Sequence, residues 1–154
     1  MAHSLDWSMR TRAQEESFPL RGAVCLAEPD EAERKRLAQI MRRMGLVVHE
    51  TGSGAAASFL AAQTHLQAMV MNLLLRDAKT LVLIRQLRRM HPDMRIVALM
   101  PAGMEACSAA LELARVAGAD AALQAPVAPG VLARALSEPR RAASAPLQFG
   151  ETAP

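Results

Sequence analysis

Short apolar runs and amphipathic stretches take turns along the middle of the chain. Ala23–Ala27 (AVCLA) is a first apolar run, followed by Glu28-Pro29-Asp30. Asp30 and Glu33 then form a D-x-x-E capping box, the signature of a helix start. Beyond it Leu37, Ile40, Met41 and Met44 recur at i, i+3, i+4 and i+7, and Gly45 supplies the stop. Leu46–Val48 reads as a second short strand. A Gly-Ser-Gly turn and an alanine-rich helix, Ala55–Ala62, come next, with Ser53 as the cap. Ala68–Leu75 (AMVMNLLL) is apolar on both faces, as a central parallel strand is. Leu81, Ile84 and Leu87 mark a helix turned toward that sheet, with Arg85, Arg88 and Arg89 largely on its solvent side. His91-Pro92-Asp93 breaks it, because proline removes a donor and restricts its predecessor. Arg95–Met100 (RIVALM) is a fourth strand, Glu105–Val116 a helix ended by Gly118, and Ala121–Leu123 a fifth strand. Pro129–Leu136 is a final helix with proline in its first turn. Strand and helix alternate five times. The pattern predicts an α/β domain with a five-stranded parallel, doubly wound sheet and helices on both faces.

The ends of the chain break this rhythm. Residues 1–21 are polar and charged without period, and residues 139–154 (PRRAASAPLQFGETAP) carry three prolines and one Phe. Both read as flexible tails around a folded block, residues 22–138. The 154 residues suit one domain, and 51% apolar content supports a core. Aromatics are only 3%, with one Trp and no Tyr, so the core is aliphatic and methionine-filled and a stacking platform for single-stranded nucleic acid is not expected. Met41, Met44, Met69, Met71 and Met100 fall where they fill that core. The net charge of +3 comes from sixteen Arg and two Lys against fifteen acids, without a long basic run, so DNA is not indicated.

Cys25 and Cys107 stand apart in apolar surroundings without CxxC spacing, and read as reduced thiols. His3, His49, His65 and His91 are singles, and no pair has helical ligand spacing, so no metal is expected. No stretch is long and apolar enough for a membrane span, and the N-terminus lacks the apolar region of a secretory signal. A cytoplasmic protein is the expectation.

In such a sheet, chemistry sits beyond the carboxyl ends of the strands. The residues to inspect are Glu28-Pro29-Asp30, Asn72, Met100-Pro101 and Gln124-Ala125-Pro126. The order of elements, the GAD at Gly118–Asp120, Pro126 and the helix opening with Pro129 together resemble a response-regulator receiver domain of the chemotaxis-receiver type, over about residues 22–138. The resemblance implies a flavodoxin-like strand order 2-1-3-4-5. It also implies an aspartate ending the third strand that accepts a phosphoryl group from a histidine kinase. An acidic pair after the first strand holds Mg²⁺ there, a Ser or Thr ends the fourth strand, and a Lys ends the fifth.

Carried over position by position, the acidic pair falls on Glu28 and Pro29, with Asp30 following. The acceptor falls on Asn72, the hydroxyl on Met100, the lysine on Ala125, and the aromatic switch position on Ala122. Phosphotransfer needs an anionic nucleophile, and a neutral amide is a very poor substitute. Pro29 offers no ligand to a hard cation. Met100 gives no hydroxyl, and Ala125 gives no positive charge to the transferred group. The pocket reads as degenerate, a pseudo-receiver without catalytic residues, bound metal or cofactor. Asn72 also reads as a polar strand-end residue satisfying a turn, and Asp30 as a helix cap. Asp77, in the loop beyond the strand, is a poor replacement acceptor, and Gly52 and Gly54 form a turn without the Lys-Ser/Thr of a phosphate loop.

What remains is surface. The resemblance implies that the fourth helix, fifth strand and fifth helix bind partners, here through Glu112, Arg115, Ala119, Ala122 and Arg134, with Ala122 leaving that face fixed in one state. The expected function is phosphorylation-independent protein–protein contact with a histidine kinase, a phosphotransfer protein or a downstream regulator, with a homodimer on the same terms. Phe149 is a lone apolar anchor in the C-terminal tail. The alternative is cyclic-dinucleotide binding by the arginine pairs Arg42-Arg43, Arg88-Arg89 and Arg140-Arg141. An enzyme has the least support, since no nucleophile–base pair is evident.

Overall fold

The computed structural model describes residues 21–104 and 108–138. Five strands, β1 (Ala23–Ala27), β2 (Val47–Thr51), β3 (Ala68–Asn72), β4 (Arg95–Met100) and β5 (Ala121–Gln124), pair in parallel in the order β2-β1-β3-β4-β5. Five helices link and follow them: α1 (Glu31–Arg43), α2 (Gly54–Gln63), α3 (Thr80–Met90), α4 (Ser108–Ala117) and α5 (Pro129–Ser137). The expected flavodoxin-like order is the observed one. The readings of residues 1–20 and 139–154 as tails, the first turn assigned to α4, Cys107, Phe149 and the Arg140-Arg141 pair lie outside the described residues.

Alternation along the strands sorts the core into two layers. Cys25, Met69, Met71, Ile96 and Ala98 face α2, α3 and α4, whereas Val24, Leu26, Val70, Val97 and Leu99 face α1 and α5. All five residues of β3 are buried, as its central place requires. Fully buried Leu26, Leu37, Met69, Ile84 and Leu132 each contribute about 1.5–3 kcal/mol by leaving water. Among the described residues the core has no aromatic side chain; Phe59 on α2 is 65% exposed.

Two caps match their sequence signals, one of them incompletely. Ser53 Oγ accepts from Ala56 N at 3.2 Å, and Asp30 Oδ2 accepts from Glu33 N at 2.9 Å. The return half of the Asp30 box does not form. Glu33 instead grips the Arg36 guanidinium at 2.9 and 2.8 Å, leaving Asp30 N free to donate elsewhere.

Other boundaries move for identifiable reasons. β2 runs to Thr51, beyond the apolar Leu46–Val48, because His49, Glu50 and Thr51 pair with Cys25, Leu26 and Ala27 on one side only. An edge strand needs backbone partners more than apolar side chains, so His49 sits mid-strand. β3 stops at Asn72, whose Oδ1 accepts from Leu74 N at 2.7 Å and turns the chain out of the sheet. On α3 the buried stripe is Thr80, Leu83, Ile84 and Leu87, while Leu81 is 36% exposed.

Arg88 does not lie on the solvent side of α3. Its guanidinium pairs with Asp120 at 2.6 Å and donates to the carbonyls of Gly118 and Met94 at 2.9 and 2.7 Å. The fork clamps α3 to the start of β4 and to the turn before β5. Gly118, at φ +130°, takes a backbone conformation disfavoured for L side chains, and a Cβ there would meet Arg88 Cβ at 2.9 Å. Among the described residues, no helix is long and apolar enough to cross a membrane.

Candidate functional site

The carboxyl ends of β1, β3, β4 and β5 bring the inspected residues to one rim. Asn72 closes β3 opposite Leu99 of β4. Met100 closes β4 opposite Gln124 of β5, and Ala125 N donates to Met100 O at 2.8 Å. Glu28 leaves β1 with its N–H bonded to Thr51 O at 2.9 Å.

Glu28 and Asn72, 4% exposed each, meet at the centre of this rim. Asn72 Nδ2 donates to both carboxylate oxygens of Glu28, at 3.0 and 2.9 Å. Asp30 N, released by the incomplete capping box, adds a third donor to Oε1 at 3.1 Å. The carboxylate is therefore held by N–H groups, and among the described residues no cationic side chain pairs with it. Arg34 reaches only the Glu28 carbonyl, at 2.9 Å, and turns its charge toward Glu50 at 3.8 Å. The two readings of Asn72 merge, because one amide end makes the turn and the other binds Glu28.

The remaining positions line the rim without polar reach. Met100 and Ala125 are buried, at 5% and 8% exposure. Pro29 presents only its ring, and the Asp30 carboxylate is spent on capping α1. Gln124, which precedes Ala125, donates from Nε2 to Pro101 O at 3.2 Å and to Ala125 O at 3.4 Å, and its buried Oε1 has no partner. The residues present do not fit the Mg²⁺ that the resemblance implies. Mg²⁺ is held through carboxylate oxygens left free to bind it, and the Glu28 carboxylate already accepts three N–H bonds while Asp30 caps α1. Among the described residues, no group of three His, Cys, Asp or Glu gathers within reach of a metal.

Asp77 has a structural task. Its carboxylate accepts from Ser53 Oγ, Gly54 N and Ala55 N at 2.9, 2.9 and 3.0 Å, capping α2 from a loop 23 residues away. Those bonds, first the one from Gly54 N, stabilise the carboxylate and hold its pKa down at about 2. Burial pushes the Cys25 thiol up to about 12, so it is an inert core group.

Of the residues assigned to a partner face, Glu112, Arg115 and Arg134 are exposed. Ala119 and Ala122 are not: at 8% and 4% exposure they pack into the core under α4, and a binding face cannot include their side chains. The sequence reading missed the exposed Leu113, Val116 and Val131 on the same helices, which solvent-facing positions in their helical periods would have indicated. Of the described arginine pairs, each has one member already engaged: Arg42 is spent on Glu50 and Val48 O at 3.0 and 3.1 Å, and Arg88 on its clamp.

Sheet order and rim define a doubly wound, flavodoxin-like domain with its inspected residues at the strand-end rim. The fold is, more narrowly, the receiver fold of response regulators. It resembles a response regulator from Burkholderia pseudomallei, solved with a phosphorylated aspartic acid, at 26% identity and TM-score 0.67, covering 76% of this chain and 66% of that one, just under two thirds of its length. A putative response regulator from Chloroflexus aurantiacus matches at 20% identity and TM-score 0.67, over 75% of this chain and 98% of its own. The receiver domain of Saccharomyces cerevisiae Ssk1, co-crystallised with the histidine phosphotransfer protein Ypd1, matches at 17% identity and TM-score 0.66, over 75% and 86%. No protein-family model and no curated protein matches the chain.

Proposed function

We propose that this chain is a pseudo-receiver: a receiver-fold module that works by phosphorylation-independent protein contact within a two-component or related signalling pathway, in the cytoplasm. The observation that carries the reading is the Asn72–Glu28 contact. At the position the family resemblance assigns to the phosphoacceptor stands an amide that cannot attack phosphorus as a carboxylate does. The oxygens that would help hold a cation are already bonded to that amide. Met100 and Ala125 offer neither the hydroxyl nor the positive charge that would stabilise a transferred group.

The partner on this reading is a histidine kinase, a phosphotransfer protein or a downstream regulator, or a second copy of the chain. The yeast receiver co-crystallised with its phosphotransfer protein supports a protein partner for such a fold. The surface assigned to it is the exposed side of α4 and α5, where Leu113, Val116 and Val131 supply apolar area between Glu112, Arg115 and Arg134.

The test is backbone amide NMR of the full chain titrated with Mg²⁺ and beryllofluoride, which together imitate an aspartyl phosphate. The expected spectrum is unchanged. Saturable shifts at Glu28, Asn72 and Leu74 would overturn the reading.

A further inference from the structure

A groove of about 260 Å³ opens between the first turns of α2 and α3. Ala55 and Ser58 line it from α2, Val82 and Gln86 from α3, and buried Leu83 lies beneath. Val82 is 49% exposed, and Phe59, the residue after Ser58, is 65% exposed. Small side chains on one wall and a branched apolar one on the other leave room for the ridge of a third helix.

Charge around the groove is one-sided. From Gly54 to Pro92 the chain carries Arg76, Lys79, Arg85, Arg88 and Arg89 against a single acid, Asp77. Asp77 is spent on capping α2, and Arg88 on its clamp. The four other cations are exposed and make no ion pair among the described residues. On α1 and α4, by contrast, cations meet acids within reach. Lys35 pairs with Glu31, Arg36 with Glu33 and Arg42 with Glu50, at 2.8, 2.8 and 3.0 Å, and Arg115 with Glu112 at 3.4 Å.

The imbalance works against α3 itself. Arg85 and Arg89 stand at i and i+4, where like charges repel. Lys79 occupies the N-cap position, makes no side-chain capping bond, and sets a cation against the positive end of the helix. Carboxylates brought to this face relieve both.

We propose that the α2–α3 groove is the docking site for an acidic amphipathic helix of a partner protein, its apolar stripe against Val82 and its carboxylates on Lys79, Arg85 and Arg89. One turn separates Arg85 from Arg89, about 6 Å along the axis, the spacing of two glutamates at i and i+4 on the incoming helix. An anionic membrane fits this face less well, since a flat bilayer cannot follow a groove between two helices and the arginines interrupt the exposed apolar area. The assignment adds a second face to the binding-module reading, apart from the exposed side of α4 and α5, and does not depend on the Glu28–Asn72 site.

Amide NMR of the full chain tests it, with a synthetic helical peptide carrying glutamates on either side of a leucine stripe as the probe. Shifts are expected at Ala55, Ser58, Val82 and Gln86, weakening as salt is raised. The double substitution Arg85→Glu and Arg89→Glu is expected to lower the affinity by a factor of about ten or more. The same peptide with lysine in place of glutamate is expected to shift nothing in the wild-type chain, which reads the charge preference without any substitution. Absence of shifts at the groove, shifts confined to α4 and α5, or equal binding of poly-glutamate or of phosphatidylglycerol vesicles would overturn the proposal. The titration contains neither Mg²⁺ nor beryllofluoride, so its outcome is separate from that of the phosphorylation test.

Discussion

Asn72 and Glu28 come from neighbouring strands, and the amide nitrogen of one lies 3.0 and 2.9 Å from the two carboxylate oxygens of the other. Each is 4% exposed, so the anion is neutralised by donation and not by a counter-charge. An aspartate has nearly the shape of asparagine but replaces a donor with an acceptor. In that one exchange the arrangement changes from self-satisfied to mutually repelling.

Asn72→Ala is expected to cost about 3 kcal/mol, because it leaves a buried carboxylate with Asp30 N as its remaining donor. Asn72→Asp is expected to cost more at neutral pH and to recover as acid protonates one of the paired carboxyls. Denaturant titrations followed by far-ultraviolet circular dichroism at several pH values check both. An Asn72→Asp variant as stable as the wild type at pH 7 would contradict the account.

Asp77 makes a pH-dependent contribution whose sign follows from its depressed pKa. The folded value of about 2 lies below the ordinary 3.8, so the stabilisation is fully present above the unfolded value and is lost as pH falls from about 4 through about 2. Asp77→Asn is therefore expected to be less stable than the wild type at pH 7, with the difference vanishing near pH 2. Parallel urea denaturations across that range measure it, and a constant gap would refute the assignment.

Gly54 sets helix propensity against packing. As the first residue of α2, an alanine there gains up to about 1 kcal/mol of helix propensity. Its Cβ, however, would stand 2.8 Å from Ala78 Cβ and 3.2 Å from Leu83 Cδ2, and overpacking of this kind costs about 1–3 kcal/mol. Gly54→Ala is expected to be net destabilising, read as a lower midpoint in thermal denaturation. A raised midpoint would mean that α2 shifts freely away from the loop.

Periodicity made the architecture legible because the interior strands are largely apolar on both faces and every helix except the alanine-rich α2 carries an apolar stripe. It failed where other forces decide. The polar half of β2 is strand because the edge of β1 supplies backbone partners. Arg88 is drawn inward by carbonyls and by Asp120, which are distant in sequence. The strand-end rule selected Glu28, Asn72, Met100 and Ala125, and the fold brings them to one rim. The Asn72–Glu28 bonds themselves were not legible, since they join residues 44 positions apart. Ala119 and Ala122 were assigned to a surface by analogy of position, although small apolar side chains at a helix–strand junction are the ones a core admits. Asp77 carried no local signal because its partners stand at the start of α2, 22 to 24 positions earlier in the chain.

The aliphatic, methionine-filled interior has an optical consequence. With no Tyr in the chain, one Trp at position 7 and Phe59 exposed, the described core holds no strong chromophore. Tryptophan emission reports on the environment of residue 7 alone, so an unchanged fluorescence trace is compatible with complete loss of the domain, and a changed one with its full retention.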